Sequence, residues 1–341
     1  MSDDRLTVLV LGAGGNVSQG ILKALASGSL GARVLAASVS PLSAGLHLVR
    51  HAFVGPQADD PALPEWIARL CRDEGVDVVL SGVEPVLEVL AASPAVTSIV
   101  SDPSILAIGA DKLMTARWLA ERGFRAPRTA DAADAVAVSQ LVADCGFPLI
   151  AKPRAGKGAE GVLVVRDDQV LDLVAGSAGV VVQEYLDGEE FTVGCVCDSE
   201  GELRGSLAMR RELHGGTTYR AEAGDFPEVR AEAERIARAL RPHGPLNVQL
   251  RMHRGRPVTF ELNVRFSGTT PMRARLGFNE VEACVNHFVR GEPIELPTVT
   301  EGAVLRYWNE VYIRPGAVTA LTEAGRVDGP GGSVEDWGMR E

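Results

Sequence analysis

Residues 244–271 read GPLNVQLRMHRGRPVTFELNVRFSGTTP, and this stretch decides the fold of the second half of the chain. Apolar and polar residues alternate on both sides of Arg254-Gly255-Arg256, which predicts a β-hairpin. In that hairpin Gln249 lies opposite Glu261. Asn263 lies on the same face as Glu261, because side chains repeat every two residues along a strand. The stretch therefore predicts a polar sheet face that gathers a carboxylate and two amide groups.

The predicted polar face suits a magnesium site. Alternation places on it Asn247, Gln249, Arg251, Thr259, Glu261, Asn263 and Arg265, and on the opposite face Val248, Leu250, Phe260, Leu262 and Val264. Carboxylate and amide oxygens are hard ligands, and Mg²⁺ takes one or two carboxylates with phosphate oxygens and water. The guanidinium of Arg265 can hold a transferring phosphoryl group through paired hydrogen bonds. A solvated sheet face without a ligand is the alternative interpretation.

A second stretch, FPLIAKPRAGKGAEGVLVV at residues 147–165, is rich in glycine and lysine. It predicts a strand that ends near Lys152, a glycine-rich loop and a returning strand. It is not a Walker loop, because no Gly-Lys-Ser/Thr sequence opens a helix. Such a hairpin can fold over phosphates with backbone N–H groups and lysines. A hairpin tip with solvated lysines is the alternative.

A third stretch, VVVQEYLDGEEFTV at residues 180–193, predicts two strands joined by a turn at Asp187-Gly188. Backbone donors and acceptors at the end of the first strand can read the edge of an adenine. A carboxylate a few residues later can accept hydrogen bonds from two ribose hydroxyls. Taken alone, this stretch is only a hairpin.

The N-terminal stretch TVLVLGAGGNVSQG, residues 7–20, has part of a dinucleotide-binding motif. Gly12 and Gly14 fit the pattern G-x-G-x-x-G, but Val17 stands at the third position. Ser38 and Ser40 stand where an acidic residue would bind the ribose. An NAD(P)-dependent oxidoreductase is therefore kept as an alternative function. The glycines also allow close packing of a helix on the sheet, and the turn could line a substrate cleft.

The remaining sequence indicates a multidomain α/β protein. Up to about residue 105, the strand candidates LTVLVL, ARVLAASV, VDVVLSG and SIVS alternate with helical patterns, which predicts a parallel sheet. A helix then begins with Asp111 at its cap and ends near Gly123. The strands that follow have short glycine turns, which favours antiparallel pairing. A length of 341 residues predicts more than one domain.

The amino-acid composition disfavours some classes of binding partner. Lys and Arg total 34 against 45 Asp and Glu, and the net charge of −11 disfavours nucleic acids and anionic membranes. No apolar run approaches the ~20 residues that span a bilayer, and MSDDRLT lacks the basic region of a signal peptide. The five cysteines are scattered without metal-ligand spacing. We therefore expect a cytoplasmic protein with no nucleic-acid and no membrane partner.

Taken in chain order, the motifs of this sequence resemble those of the ATP-grasp superfamily over roughly residues 1–300. They are a glycine-turn parallel domain, ADK opening a helix, the strand-lysine-glycine loop, Q-E-Y-L-x-G-x-E and Q…E-x-N-x-R. The stretch ELNVRFSGTTPMRARLGFNE resembles ligases related to the large subunit of carbamoyl phosphate synthase and to the pyrrolysine-pathway ligase.

The resemblance implies an α/β chain, α+β in its C-terminal part, with an ATP-grasp fold after a Rossmann-like domain. The implied divisions are a pre-ATP-grasp domain (1–110), a small subdomain with the phosphate loop (111–187), a large subdomain with the Mg/ATP hairpin (188–300) and a C-terminal extension (301–341).

The resemblance also implies roles for individual residues. The nucleotide would be bound by Lys112, Lys152, Gly156, Lys157, Gly158, Gly161, Glu184, Tyr185, Leu186 and Glu190. The metal ligands would be Gln249, Glu261 and Asn263, where Gln249 takes a place often held by glutamate. Arg265 and Lys152 would be catalytic. Candidate substrate contacts are Arg210, Arg211, Ser267, Thr269 and Arg273.

The implied activity is an ATP-dependent carboxylate–amine ligase that passes through an acyl phosphate and releases ADP and phosphate. We expect ATP and two Mg²⁺ ions as cofactors, with Mn²⁺ as a substitute. The expected partners are a small-molecule carboxylate and an amine, both resembling amino acids, and a homodimer is compatible with the sequence. The alternative within the superfamily is transfer of the acyl group to an acceptor other than an amine.

Overall fold

The computed structural model describes residues 5–156 and 160–334. Its first part alternates strands and helices: β1 (Thr7–Leu11), α1 (Asn16–Ser27), β2 (Arg33–Ser38), a 3-10 helix (Ala44–Leu48), β3 (His51–Val54), α2 (Leu63–Glu74), β4 (Val78–Ser81) and α3 (Glu84–Ala91). β1 pairs in parallel with β2 and β4, and β2 pairs in parallel with β3. Every residue of β1 is buried, as its unbroken apolar run predicts for a sheet covered on both faces. The predicted parallel sheet is confirmed.

The predicted strand at SIVS is wrong. Residues 98–101 make only an isolated bridge, between Val79 and Ser98, and the strand that completes the parallel sheet is β3. The chain turns away here because the side chain of Ser101 accepts a hydrogen bond from His243 N (2.9 Å), and a helix begins at Pro103.

The middle of the chain contains α4 (Pro103–Ala110), α5 (Lys112–Glu121), β5 (Thr129–Asp131), α6 (Ala135–Cys145), β6 (Leu149–Pro153), β7 (Leu163–Val165), α7 (Asp168–Asp172) and β8 (Val180–Glu184). These strands form an antiparallel sheet in the order β5-β8-β6-β7, here called the small sheet. The Asp111 side chain accepts hydrogen bonds from Leu113 N and Met114 N, which confirms the predicted helix cap.

The next segment contains β9 (Glu190–Cys197), β10 (Leu203–His214), β11 (Thr217–Ala223), α8 (Pro227–Leu240), β12 (Gly244–His253), β13 (Arg256–Asn263), α9 (Thr270–Arg275) and α10 (Glu280–Arg290). Its strands pair antiparallel and form most of a six-stranded sheet, here called the large sheet. One face of this sheet packs in a core with Val229, Ala233 and Ile236 of α8. The other face carries the polar residues of the site.

The last described segment contains β14 (Gly302–Leu305), β15 (Val311–Ile313), α11 (Ala317–Ala324), β16 (Arg326–Asp328) and β17 (Gly332–Val334). β14 pairs with β11 at the edge of the large sheet, and β16 pairs antiparallel with β3 of the parallel sheet. The segment therefore forms hydrogen bonds with two sheets. The predicted boundaries of the four divisions, at residues 110, 187 and 300, stay a prediction. Among the described residues, no helix combines the length and the apolar character that a bilayer span requires.

The hairpin of β12 and β13 forms as predicted, with one irregularity. Its turn has positive φ at Arg254 (49°) and Gly255 (72°), and Gln249 lies opposite Glu261. The register then shifts, so Leu250 lies opposite Thr259 and Phe260 is an extra residue. The predicted positions of Thr259 and Phe260 are therefore wrong: Thr259 is fully buried, and Phe260 lies on the polar side.

A buried ion pair joins α9 to α10. The side chains of Arg273 and Glu280 are each 1% exposed, and Arg273 Nη2 lies 2.7 Å from Glu280 Oε1. Removing one partner of such a pair leaves an uncompensated buried charge. We expect Glu280→Gln to lower the free energy of unfolding in urea by about 3–5 kcal/mol.

The matched control is Glu65→Gln, which breaks the Arg72–Glu65 pair, whose side chains are 63% and 75% exposed. That change should cost less than about 1 kcal/mol. Equal, small losses in both variants would contradict the structural role given to Arg273 and Glu280.

Candidate active site

A cleft between the small sheet and the large sheet collects most of the residues that the sequence singled out. It is lined by Lys112, Pro127, Ile150, Lys152, Pro153, Gly156, Glu160, Val162, Gln183, Glu184, Tyr185, Leu186, Glu190, Arg211, Leu213, Gly216, Gln249, Arg251, Phe260 and Glu261. The apolar members can contact the faces of a flat base, and the charged members can bind phosphates, hydroxyls and a metal.

Two lysines lie on the small-sheet side of the cleft. Lys152 on β6 is buried, and its Nζ lies 5.5 Å from the ring centroid of Phe260. The Nζ of Lys112 donates to Gly156 O (3.2 Å) and to Arg154 O (3.4 Å). Both lysines lack a carboxylate within ion-pair distance among the residues that the structure describes. They are therefore the cations of the cleft that remain available to an anionic ligand.

The loop between Lys152 and β7 is described only at its ends. Gly156 lines the cleft, whereas Lys157 and Gly158 lie outside the described residues. Gly161 has a φ of 69°, and a Cβ at this position would lie 3.0 Å from Pro153 Cγ. A glycine is favoured here both by its backbone conformation and by this close approach.

The predicted hinge residues lie together at the end of β8. Glu184 ends β8, and its backbone N donates to Arg128 O (2.9 Å). Tyr185 and Leu186 continue from it along the wall of the cleft, and Leu186 is buried. This segment presents backbone groups beside an apolar surface, the arrangement that a purine base requires.

Glu190 is the partner of two arginines. Its Oε1 accepts from Arg211 Nη2 (2.6 Å), and its Oε2 accepts from Arg251 Nη2 (2.5 Å). Oε1 also accepts from Arg211 Nε (2.9 Å). Each carboxylate oxygen can accept about two hydrogen bonds, so Oε2 keeps one position for a ribose hydroxyl. Arg211 and Arg251 thus share one carboxylate, which offsets one of their two charges, whereas the two lysines have no acidic partner among the described residues.

The predicted metal ligands form a hydrogen-bonded set around one oxygen. Glu261 Oε1 accepts from Asn263 Nδ2 (3.0 Å) and from Gln249 Nε2 (3.4 Å). Glu261 Oε2 has no hydrogen-bond partner among residues 5–156 and 160–334, and Glu261 lines the cleft. The donor set fits Mg²⁺, which takes one or two carboxylates and completes its shell with phosphate oxygens and water.

The amide oxygens of this set point to arginines. Arg211 Nη2 donates to Gln249 Oε1 (2.7 Å), and Arg265 Nη2 donates to Asn263 Oδ1 (2.7 Å). Each amide oxygen keeps a second lone pair for a metal. Within the described part of the chain, no group of three or more His, Cys, Asp and Glu side chains could hold a metal ion. The predicted set has a single acid, so this observation does not test it.

Arg265 lies beyond the lining residues and contacts the N-terminal part of the chain. Its Nη2 lies 2.9 Å from Glu84 Oε1, at the start of α3, and its Nη1 donates to Phe266 O (3.0 Å). Through Asn263 it also connects to Glu261. The structure therefore links Arg265 to the metal set by hydrogen bonds, and its contact with a phosphoryl group stays a prediction.

The candidate substrate residues do not form one group. Arg211 lines the cleft, whereas Arg210 is exposed and pairs with Glu189 and Glu222. Ser267, Thr269 and Arg273 are buried together, and Arg273 donates to both hydroxyls (3.0 and 2.7 Å). The Arg273 guanidinium is also held by Glu280, so in this structure these three side chains stabilise the turn after β13.

Sequence reasoning gave no role to three residues of the cleft. Arg251 stood on the predicted polar face, and its pairing with Glu190 on the neighbouring strand was not apparent from sequence. Gln183 precedes the hinge glutamate, and Phe260 was assigned to the opposite face. The position of Gln183 in the motif Q-E-Y-L was the available signal for its role, whereas the bulge that turns Phe260 left no local signal.

Two family models match separate parts of the chain. Residues 8–99 match the family described as PylC-like, N-terminal domain, and residues 177–311 match ATP-grasp in the biosynthetic pathway with Ter operon. These matches confirm the predicted resemblance to the ATP-grasp superfamily. The predicted fold class, with an ATP-grasp fold after a parallel-sheet domain, is confirmed.

Similar sequences and structures agree with this resemblance. The carbamoyl phosphate synthase large chain of Deinococcus radiodurans is 29% identical over 188 residues, which cover 50% of this chain and 18% of that relative. The chain thus spans about a fifth of that relative's length.

Three solved structures share the fold. N5-carboxyaminoimidazole synthetase from Staphylococcus aureus, complexed with ADP, has a TM-score of 0.71 at 14% identity and covers 90% of this chain and 84% of its own. The biotin carboxylase domain of 2-oxoglutarate carboxylase from Hydrogenobacter thermophilus was solved as a dimer with MgADP, ADP and bicarbonate. It has a TM-score of 0.69 at 15% identity, and the match covers 87% of this chain and 73% of that domain. An L-amino acid ligase from Bacillus licheniformis has a TM-score of 0.66 at 16% identity, and the match covers 91% of this chain and 82% of the ligase.

The charge of Lys152 should make nucleotide binding depend on pH. Burial lowers the pKa of Lys152 to about 8; Lys112 also lowers it, and Glu261 and Glu190 oppose the decrease. Because phosphates favour the charged amine, binding at a pH above this pKa takes up a proton. We expect the affinity for MgADP to be constant below pH 7 and to fall roughly tenfold per pH unit well above pH 8.

Titration calorimetry between pH 6.5 and 9.5 measures this dependence. The matched control is Lys152→Arg, which stays charged throughout that range and should therefore remove the slope. The same slope in both proteins would place the titrating group elsewhere.

Proposed function

We propose that this chain is an ATP-dependent carboxylate–amine ligase that forms an amide or peptide bond between substrates resembling amino acids. The observation that carries this proposal is the division of charge in the cleft. Lys112 and Lys152 lack acidic partners among the described residues, while the open Oε2 of Glu261 belongs to the same cleft. This arrangement suits a polyphosphate whose charge is shared between lysines and a metal ion.

The proposed reaction has two steps. A carboxylate oxygen of the first substrate attacks the γ-phosphorus of ATP, the bond to the ADP oxygen breaks, and an acyl phosphate forms. The amine nitrogen of the second substrate then attacks the acyl carbon, phosphate leaves, and the nitrogen loses a proton. Both steps require positioning and charge neutralisation rather than a covalent protein intermediate.

The residues of the cleft have distinct proposed roles in these steps. Lys152 and Lys112 hold the phosphates, and the hinge at Glu184–Leu186 holds the base, with Glu190 on the ribose. Glu261, Gln249 and Asn263 would hold Mg²⁺, which supplies charge neutralisation at the β- and γ-phosphates when bound. Arg265 would contact the transferring phosphoryl group. Two Mg²⁺ ions, replaceable by Mn²⁺, are part of this proposal, and the nucleotides in the similar structures support ATP and Mg²⁺.

Amino-acid-like substrates are proposed on the fold shared with an L-amino acid ligase and on the position of Arg211 in the cleft. Its guanidinium can share its hydrogen bonds with a substrate carboxylate. A homodimer is proposed because a similar domain was solved as a dimer. We place the reaction in the cytoplasm, and the four divisions of the chain at residues 1–110, 111–187, 188–300 and 301–341 belong to the same proposal.

The structure gives no support to a dehydrogenase that uses the N-terminal glycine turn. In a dinucleotide site the second glycine leaves space for the pyrophosphate. Here a Cβ on Gly14 would lie 2.8 Å from Ser43 Oγ and 3.2 Å from Ser38 Oγ, so protein atoms fill that space. The backbone N of Gly14 already donates to Ser38 Oγ (3.2 Å).

The proposal is tested by a screen for ADP release across pairs of amino acids, followed by mass spectrometry of the products. A condensed product that is one water lighter than the summed substrates, formed with one ADP per bond, supports it. ADP release that depends on a carboxylate and yields a product without nitrogen from the second substrate would point to a non-amine acceptor. No ADP release with any pair would contradict the assigned substrate class.

Nucleotide binding should stabilise the chain selectively. We expect MgATP to raise the melting temperature and NAD(H) and NADP(H) to leave it unchanged. The two lysines of the cleft lack acidic partners among the described residues, whereas the N-terminal turn lacks the full dinucleotide motif. At a hundredfold excess over the dissociation constant, the stabilisation should be about 2.7 kcal/mol. Scanning fluorimetry measures the shift in melting temperature. A shift with NADPH and none with MgATP would mean that the N-terminal glycine turn, and not the cleft, binds the nucleotide.

Glu261→Ala should abolish turnover while the fold is kept. The side chain packs little but provides the one carboxylate of the metal set, so its loss removes the charge that assembles the phosphates. We expect a loss of at least about a thousandfold in kcat, by analogy with removal of a main stabilising group from a site.

The matched control is Glu212→Ala on the same sheet, where the carboxylate is exposed and pairs with Arg220. It should keep normal turnover. Circular dichroism confirms folding of both variants, and an active Glu261→Ala enzyme would mean that the hairpin is only a solvated sheet face.

A further inference from the structure

The tip of the β12–β13 hairpin contacts the link that joins the two sheets. This link (residues 185–189) connects β8 of the small sheet to β9 of the large sheet. β12 pairs with β9 and then continues past it, beside the link. Met252 N donates to Glu189 O (3.0 Å), and Arg251 Nη1 donates to Gly188 O (3.0 Å). The end of β12 therefore holds the link at two points.

His253, the last residue of β12, adds a third contact with the link. It is 9% exposed, and its Nδ1 lies 2.5 Å from Asp187 Oδ1. An ionised carboxylate only accepts hydrogen bonds, so Nδ1 donates this one. The other ring nitrogen, Nε2, is buried, lies 3.6 Å from Glu184 Oε1 and has no hydrogen-bond partner among the described residues. The imidazole ring is therefore held through Asp187.

The same strand also carries a residue of the metal set. Gln249 and His253 lie on one face of β12, because side chains repeat every two residues along a strand. Gln249 Nε2 donates to Glu261 Oε1 (3.4 Å). Four residue steps along an extended strand separate Gln249 from His253 by about 13 Å. β12 thus contacts the metal set at one position and the link at another.

A nucleotide bound as proposed has to reach both of these positions. Its base lies at the hinge, where the link begins, and its phosphates lie at the lysines and the metal set. Two binding groups joined in one ligand strengthen each other only when their subsites stand at the distance that the ligand spans. The contact between β12 and the link sets that distance.

We propose that His253 is a positioning residue which, held by Asp187, keeps the base-binding link at a fixed distance from the metal set. Neither His253 nor Asp187 belongs to the described residues that line the cleft, so both act on a nucleotide through the link. This inference rests on the proposed function, because it places the base at the hinge and the phosphates at the metal set.

The test compares MgADP, adenosine and magnesium pyrophosphate by titration calorimetry in the full-length chain. MgADP needs both subsites, whereas adenosine needs only the hinge and pyrophosphate only the lysines and the metal set. Asp187→Ala removes the acceptor from a side chain that is 70% exposed. We expect this variant to bind MgADP about tenfold more weakly and each of the two fragments with less than about a twofold change.

Three further variants test the partnership of the two side chains. His253→Leu removes both ring nitrogens and should have the same effect as Asp187→Ala. The double variant should bind MgADP no more weakly than either single variant, because the two side chains form one contact. Asp187→Asn keeps an oxygen that can accept from Nδ1 and should bind MgADP as the wild type does. The Asp187 variants change an exposed side chain, so they decide the matter even if His253→Leu does not fold.

The outcomes separate this inference from the proposed function. A loss of adenosine binding as large as the loss of MgADP binding would mean that His253 shapes only the hinge. A loss of pyrophosphate binding would mean that it only stabilises the hairpin. Either result, or unchanged MgADP binding in Asp187→Ala, would overturn the inference while the proposed nucleotide site stands. A wild type that binds none of the three probes would overturn the proposed site and the inference together.

Discussion

The two hydrogen bonds that Gln249 and Asn263 donate to Glu261 Oε1 are the interactions on which the site depends. Arginine can only donate, so Arg211 and Arg265 hold the oxygen of each amide and turn its nitrogen toward Glu261. The carboxylate is thereby fixed with Oε2 free of protein partners among the described residues. A site set in this way would lose little conformational freedom on binding the proposed metal and phosphates.

The positively charged residues on the two sides of the cleft differ in whether they have an acidic partner. Arg211 and Arg251 on the large sheet are both paired with Glu190, which compensates one of their two charges. Lys152 is buried on the small sheet, and burial lowers its pKa to about 8. A bound phosphate chain would place negative charge beside the lysines, which have no acidic partner among the described residues, whereas each arginine already contacts Glu190.

The parts of this structure that follow from the sequence are those that depend on neighbouring residues. The apolar run of β1, the cap at Asp111 and the turn at Arg254-Gly255 each have a local cause, and all three were predicted. Phe260 was misplaced because strict alternation does not reveal a bulge, whose cause is pairing with another strand. The partnership of Arg265 with Glu84 joins residues 181 positions apart, so no local pattern could reveal it.

The glycines of the N-terminal turn and of α1 allow close packing, and a Cβ on Gly12 would lie 2.3 Å from Val83 Cγ2. A Cβ on Gly268 would lie 2.5 Å from Asn16 Nδ2, and a Cβ on Gly20 would lie 2.9 Å from Pro271 Cδ, so glycines let α1 approach the turn that follows β13. That approach fixes the N-terminal sheet against the segment that carries Arg265. The contact of Arg265 with Glu84 depends on this geometry, since Glu84 begins α3 directly after a strand of the parallel sheet. A motif that resembles a nucleotide site thus helps to position an arginine that hydrogen-bonds to the predicted metal ligands in the second half of the chain.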